Sequence, residues 1–183
     1  MKTYKVIFPS VHASGGKPFE AEADAPTEAL AIRSVLEAVA AQGMRLECVV
    51  LADMADLSGA VLDGLRLSGC TLSNVNLQGA SLRGARIEHS TFERVHADNT
   101  TRFDSAQLEV VSFVGCTLNG LVARGMNAAH LQFAKSYASD VDAAGSTVIG
   151  LRNVDSSSTL ARWKHEGASI QSGSFDPQAL FAV

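Results

Sequence analysis

The sequence predicts a mainly β solenoid, with a small α+β region before it and a short tail after it. From Ala55 to Leu160 the chain divides into 21 units of five residues, with Thr100 as one extra residue. The central position of the unit is apolar in 19 of the 21 units, and the last position is Gly in 10 of them. A period of five fits neither the 3.6 residues of a helical turn nor the 2.0 of a regular strand. The chain must therefore turn at short, regular intervals.

The chemistry of the five positions predicts which side chains face inward. The central position and the position two before it are mostly apolar, whereas the remaining positions are mainly polar. The first two should therefore face a core. Gly at the last position suits a corner, because the backbone there takes dihedral angles that a side chain disfavours.

The units resemble those of the pentapeptide-repeat family, whose pattern is A-(D/N)-L-x-x. The unit Ala55-Asp56-Leu57-Ser58-Gly59 matches this pattern in full, and most other units match at the centre. The resemblance extends from residue 55 to about residue 160. It implies a right-handed quadrilateral β-helix in which four units make one square coil, and hence about five coils for this chain.

Four units per coil would stack residues that are 20 positions apart, or 21 across Thr100. On one side this spacing predicts a core ladder, at about 4.8 Å per layer, of Leu72, Phe92, Phe113 and Phe133. On another side it stacks outward residues whose charges alternate, namely Asp63, Arg83, Asp104 and Arg124. Because the spacing of 21 preserves both ladders, we interpret Thr100 as a bulge at a corner.

Residues 1–54 are predicted to form a ββαβ cap on the first coil. Thr3–Phe8 is expected to be a strand, and Phe19–Ala23 has the alternation of a second strand. Arg45–Leu51 is predicted to be the strand that leads into the repeats, which occupy residues 55–160.

A helix is predicted between the second and third strands of this cap. Asp24 or Thr27 can cap its start, and its apolar stripe ends before Gly43. This order of elements gives the small α+β cap its expected form.

The C-terminal residues 161–183 are predicted to cover the last coil and to contribute to a homodimer. Val114, Ala134 and Val154 stack outward on one side of the late coils, and Ala129 and Ile149 stack on the adjacent side, where earlier coils carry Ser, Glu or Asp. A set of this kind indicates contact with another molecule. The predicted dimer interface comprises Val114, Ala134, Ile149, Val154, Trp163 and Phe181.

Composition and charge exclude several classes of function. The chain has 15 Lys and Arg against 19 Asp and Glu, a net charge of −4, and no cluster of basic residues. Because phosphate binding needs such clusters, we expect no direct binding to nucleic acid. No apolar run exceeds five residues, and the first residues lack the apolar core of a signal peptide. We expect a cytoplasmic protein without a membrane segment.

We also expect no catalytic, metal or cofactor site. Cys70 and Cys116 fall on different sides of the predicted coil, about 11 Å apart, which is too far for a disulfide. His89 and His130 would lie about 10 Å apart and cannot share a metal ion. No nucleophile elbow, phosphate-binding loop or dinucleotide fingerprint occurs.

One outward set of carboxylates goes once round the middle of the predicted coils. This acidic band comprises Glu88, Glu93, Asp98, Asp104 and Glu109. The resemblance gives the band a meaning, because some pentapeptide-repeat proteins, notably those linked to quinolone resistance, bind DNA gyrase by resembling duplex DNA. Arginines lie beside the band, however, and a duplex mimic should be nearly uniformly negative.

Three functions therefore remain open. The first is a non-catalytic, dimeric protein-interaction module with a rigid, rod-like surface. The second is a DNA mimic that binds DNA gyrase or another topoisomerase. The third is a factor that occupies a different DNA-binding protein, for example one acting in defence.

Overall fold

The computed structural model describes residues 1–11, 16–52, 56–154 and 162–172 of the 183-residue chain. An antiparallel hairpin of β1 (Lys2–Phe8) and β2 (Phe19–Ala25) comes first, and helix α1 (Glu28–Ala41) follows it. Thr27 caps the helix, since its Oγ1 accepts a hydrogen bond from the backbone N–H of Leu30 at 3.3 Å.

The strands of the rest of the described chain are parallel to one another and are joined by turns. They are β3 (Arg45–Glu47), β4 (Val50–Ala52), β5 (Arg66–Ser68), β6 (Thr71–Ser73), β7 (Arg86–Glu88), β8 (Thr91–Glu93), β9 (Gln107–Val114), β10 (Asn127–Ala134), β11 (Thr147–Val154) and β12 (Ser169–Ser172).

These segments stack in four walls around one axis. The first wall contains β3, β5, β7, the first halves of β9, β10 and β11, and β12. The second wall contains β4, β6, β8 and the second halves of β9, β10 and β11. Single bridges hold the third wall, from Asp56 to Tyr137, and the fourth wall, from Val61 to Lys164. The predicted quadrilateral β-helix is confirmed.

The solenoid makes about six turns, one more than the repeat count predicts. The reason lies in the segment that was expected to form a single strand, Arg45–Leu51. Cys48 takes a φ of 52°, so the segment is two strands with a corner between them. Leu46 pairs in register with Leu67 on the next coil, and the chain from Arg45 onward belongs to the solenoid sheet.

Left-handed backbone turns the chain at the corners. The corner between the first and second walls is a column of residues that all have φ between 49° and 72°, namely Cys48, Gly69, His89, Val110, His130 and Gly150. Glycine adopts this conformation at little cost, whereas a β-branched side chain is strained by it. Val110, with φ of 53°, is the strained member of the column.

Apolar side chains fill the tube along its whole described length. Leu72, Phe92, Phe113 and Phe133 pair in register. The ring centroids of Phe92 and Phe113 lie 4.9 Å apart, and those of Phe113 and Phe133 lie 5.3 Å apart. Such offset stacks add to the burial energy of the rings.

A capped turn absorbs the extra residue Thr100. The Asp98 carboxylate accepts hydrogen bonds from the Thr100 backbone N–H at 2.9 Å and from the Thr100 hydroxyl at 2.6 Å. Thr101 is buried and donates its hydroxyl to the Leu77 carbonyl at 2.9 Å. The bridges on both sides of the turn keep the register, as the interpretation of Thr100 as a corner bulge requires.

No helix within the described residues has the length and apolar character needed to cross a membrane.

Candidate interaction surface

Arginine side chains neutralise part of the acidic band. Glu88 lies between two of them, with Arg45 Nη2 at 3.1 Å and Arg86 Nε at 2.7 Å from its carboxylate. Glu93 has a looser partner, since Arg94 Nη2 is 3.9 Å away. These pairs form because the repeat places outward residues of neighbouring columns within reach of one another.

The other three carboxylates of the band differ among themselves. Asp98 caps the Thr100 turn, and its hydrogen bonds with Thr100 hold the pKa of its carboxyl below the ordinary value. Asp104 Oδ2 lies 3.5 Å from Arg83 Nε. The Glu109 side chain is exposed and makes no hydrogen bond or ion pair within the described part of the chain. Four of the five carboxylates of the acidic band thus interact with other residues of the same chain.

The fourth wall carries the predicted ladder of alternating charges. Asp63 Oδ1 accepts a hydrogen bond from the Arg83 N–H at 2.9 Å, and Asp104 Oδ1 accepts one from the Arg124 N–H at 3.1 Å. At its upper end Arg124 donates to Asp142 Oδ2 at 2.6 and 2.8 Å. This pair lowers the pKa of the Asp142 carboxyl.

The predicted apolar patch consists of two separate stacks. On the second wall the stacked side chains, all half-buried, are Val114, Ala134 and Val154. On the first wall Ile149, which is 49 % exposed, stacks on Ala129. The corner column and a polar column lie between the two stacks, and the polar column comprises Ser112, Gln132 and Arg152. The two stacks therefore lie on adjacent walls, with polar side chains between them at the surface.

Trp163 also departs from its predicted role at a dimer interface. Its side chain is only 4 % exposed and packs edge-on against Phe133, with ring centroids 5.8 Å apart. Its indole N–H donates to the Ala138 carbonyl at 2.6 Å. Trp163 thus extends the core ladder, and burial within its own chain removes it from the outer surface. Phe181 lies outside the described residues.

Two residues that the repeat pattern did not indicate join α1 to the first coil. Arg33 donates to the Ser58 and Gly59 carbonyls, each at 2.9 Å, and the Glu37 carboxylate accepts the Val61 N–H at 3.0 Å. In the next coil, the backbone N–H at the position equivalent to Val61 donates instead to a backbone carbonyl of the first coil. The helix side chains thus replace a missing coil. The signal was a charged i, i+4 pair within the apolar stripe of the helix.

Two of the three cysteine thiols lie in the core. Cys70 and Cys116 are buried, and burial raises the pKa of both thiols. Among the residues that the structure describes, no three His, Cys, Asp or Glu side chains come close enough together to hold a metal ion.

One family model matches part of this chain. The family model described as Pentapeptide repeats matches residues 55–94, in eight copies. Among curated proteins, none matches this chain significantly.

Several solved structures match this chain at low sequence identity. One is a trypsin-treated variant of QnrB1, described as a plasmid-mediated fluoroquinolone resistance protein. It has 11 % identity and a TM-score of 0.35, and the match covers 75 % of this chain and 85 % of that one. Another is Rfr23 from the cyanobacterium Cyanothece 51142, with 15 % identity, a TM-score of 0.23, and coverage of 70 % and 88 %. A third is HetL from Nostoc sp. strain PCC 7120, with 15 % identity, a TM-score of 0.16, and coverage of 70 % and 86 %.

Proposed function

We propose that this chain, which is a pentapeptide-repeat protein, is a non-catalytic cytoplasmic module that binds another protein through its outer walls. The observation that supports this proposal is the exposure of apolar and aromatic side chains on the late coils. Ile149 is 49 % exposed on the first wall, and Tyr137 is 57 % exposed on the third wall. Side chains of this kind, held on a rigid stack of strands, are typical of protein-binding surfaces.

Affinity purification from the host cell, followed by mass spectrometry, tests this function. The wild-type protein should enrich a protein that Ile149→Asn enriches less. Val61→Asn is the matched control, because Val61 is 59 % exposed at the opposite end of the solenoid. Failure of the wild type to enrich any protein would contradict the function.

A homodimer is the second part of the proposal, and it uses the second wall. The stack of Val114, Ala134 and Val154 gives two copies a strip of small apolar side chains to pack together. Val114→Asp should halve the mass measured by sedimentation equilibrium, because it places a charge in that strip. Ser112→Asp adds the same charge to the neighbouring polar column and should leave the dimer intact. An unchanged mass for Val114→Asp would contradict this interface.

DNA mimicry, directed at gyrase or another DNA-binding protein, is the second candidate function. The exposed carboxylate of Glu109 favours it, but the pairing of Glu88, Glu93 and Asp104 with arginines weakens the negative field that a duplex mimic needs.

A gyrase supercoiling assay, with and without a quinolone, separates the two candidate functions. Mimicry predicts inhibition or protection that weakens in the variant Glu109→Gln. No effect at micromolar protein would exclude gyrase as the target.

A further inference from the structure

Two columns of outward side chains run along the first wall, parallel to the solenoid axis. The first column has three arginines followed by neutral polar residues, in the order Arg45, Arg66, Arg86, Gln107, Asn127 and Thr147. The second column has acids followed by apolar residues, in the order Glu47, Ser68, Glu88, Glu109, Ala129 and Ile149. The early layers of the wall are therefore charged, and the second column becomes apolar at Ala129 and Ile149, before Ser169 and Gln171 of β12 end the two columns.

Some charged side chains of this wall form ion pairs with one another, and others do not. Glu88 accepts from Arg45 and Arg86, and Arg45 also lies 3.3 Å from Glu47. Arg66 has Ser68 beside it in its own layer, so the middle arginine of the column has no acid next to it. Neither the Arg66 side chain nor the Glu109 side chain makes a hydrogen bond or ion pair within the described residues, and both side chains are exposed.

In the later coils, the second column carries the apolar side chains of Ala129 and Ile149. A groove of about 300 Å³ runs along the wall from Glu88 to Ile149, and Glu109 and Ala129 also line it. The small side chain of Ala129 leaves a notch between the longer side chains of Glu109 and Ile149. A partner's apolar side chain fits into such a notch.

The spacing of these residues matches an α-helix that lies along the wall. Arg66 and Glu109 are two layers apart, as are Glu109 and Ile149, and each step is about 10 Å at the spacing of parallel strands. Seven residues of an α-helix span about 10.5 Å, and a helix is about 10–12 Å in diameter. The three-residue width of the wall, about 10 Å, accommodates one helix.

We propose that the first wall binds an amphipathic helix of a protein partner. The helix presents an acidic residue to Arg66, a basic residue about seven positions further on to Glu109, and an apolar residue about seven positions beyond that to the notch at Ala129 and Ile149. This inference rests on the proposed function and adds to it the wall, the secondary structure and the charge order of the partner.

Two synthetic helical peptides of about 22 residues, a length of about 33 Å, provide the probe. Both have the same composition, and one carries Glu, Lys and Leu in the order given above, whereas the other has Glu and Lys exchanged. Fluorescence anisotropy at low salt should show about tenfold tighter binding of the first peptide, because two ion pairs replace two repulsive contacts. Equal binding of the two peptides, or no binding of either, would overturn the proposal.

Charge exchange on the protein provides the matched variants. The double variant Arg66→Glu with Glu109→Lys should prefer the exchanged peptide. Lys164→Glu with Glu166→Lys makes the same exchange on exposed residues of the fourth wall and should keep the wild-type preference. If affinity purification enriches the same partner with wild type and with the Arg66 and Glu109 double variant, the proposed function stands and the helix site is rejected.

Discussion

The two ends of the solenoid are closed by different means. At the N-terminal end, Arg33 and Glu37 of α1 bond to three backbone groups of the first coil, and Val35, Leu36 and Val39 of the same helix are buried. At the C-terminal end, Trp163 covers Phe133 and bonds to one backbone carbonyl.

The difference follows from what each closing element must supply. A coil that lacks a neighbour leaves backbone N–H and C=O groups on its walls and apolar side chains in its centre. The helix satisfies the wall groups with charged side chains. At the other end the indole covers the centre, while the backbone of Lys164, Glu166 and Ser169 bonds to the wall groups of the preceding coil. The side chains of the N-terminal closure should therefore contribute mainly through hydrogen bonds, and the Trp163 side chain of the C-terminal closure mainly through packing.

Removal of the indole should have the largest effect on stability. Trp163→Ala is expected to lower the free energy of unfolding by about 4 kcal/mol, because it deletes a buried aromatic side chain and leaves a cavity. Urea denaturation measures this loss. Trp163→Phe keeps most of the packing and should lose about 1 kcal/mol with the hydrogen bond. Equal losses for the two variants would show that packing does not close this end.

Loss of the charged contacts should have the next largest effect, and at the opposite end. Arg33→Ala leaves the Ser58 and Gly59 carbonyls without their donor and should lower the free energy of unfolding by about 2 kcal/mol. Ser34→Ala, an exposed change on the same helix, is the control. Hydrogen exchange should be faster at Val61 in the variant Glu37→Ala and unchanged in the late coils. Uniform acceleration along the chain would contradict a local closure.

The sequence predicted the centre of the molecule better than its ends. The repeat positions determine which side chains face the core, so the ladder of Phe92, Phe113 and Phe133 followed from spacing alone. Leu46 and Leu51 are five residues apart, but six residues separate Leu51 from Leu57, so the repeat is shifted by one residue at this point and the first coil is not in phase with the others.

The docking of α1 and the position of Trp163 could not be predicted in the same way. Arg33 contacts residues 25 and 26 positions away, and that contact depends on how the helix packs rather than on any repeat. Trp163 follows the last repeat, where the spacing no longer indicates which side faces inward. The polar residues between the two apolar stacks, by contrast, can be read from the chain, since His130 and Gln132 lie between Ala129 and Ala134.

A corner in the middle of the solenoid gives a reference in which neither closure acts. Val110→Asn should raise the free energy of unfolding by about 1 kcal/mol, because Asn tolerates the φ of 53° that strains a β-branched side chain. Gly150→Ala, in the same column, should lower it, since the added Cβ would lie 2.9 Å from His130 Nδ1 at a φ of 72°. Urea denaturation measures both changes. A loss of stability in Val110→Asn would show that packing of the valine outweighs the strain.

Acid should affect the two ends unequally, and this is the smallest effect that we expect. Near the first coil, hydrogen bonds from Ser58 lower the pKa of the Asp56 carboxyl. Near the last coil, hydrogen bonds from Arg124 lower the pKa of the Asp142 carboxyl. A carboxyl whose folded pKa lies below its ordinary value of 3.8 adds stability above that pH, and the contribution disappears as the pH falls through the folded pKa.

The paired variants Asp56→Asn and Asp142→Asn test this difference by urea denaturation between pH 7 and pH 3. Asn at position 56 still accepts the Ser58 N–H, whereas Asn at position 142 loses an ion pair with Arg124. Asp142→Asn should therefore lose more stability at pH 7 and show the flatter pH dependence. A flatter pH dependence of stability for Asp56→Asn than for Asp142→Asn would contradict this expectation, because the carboxylate that contributes more to acid sensitivity would then lie at the N-terminal end.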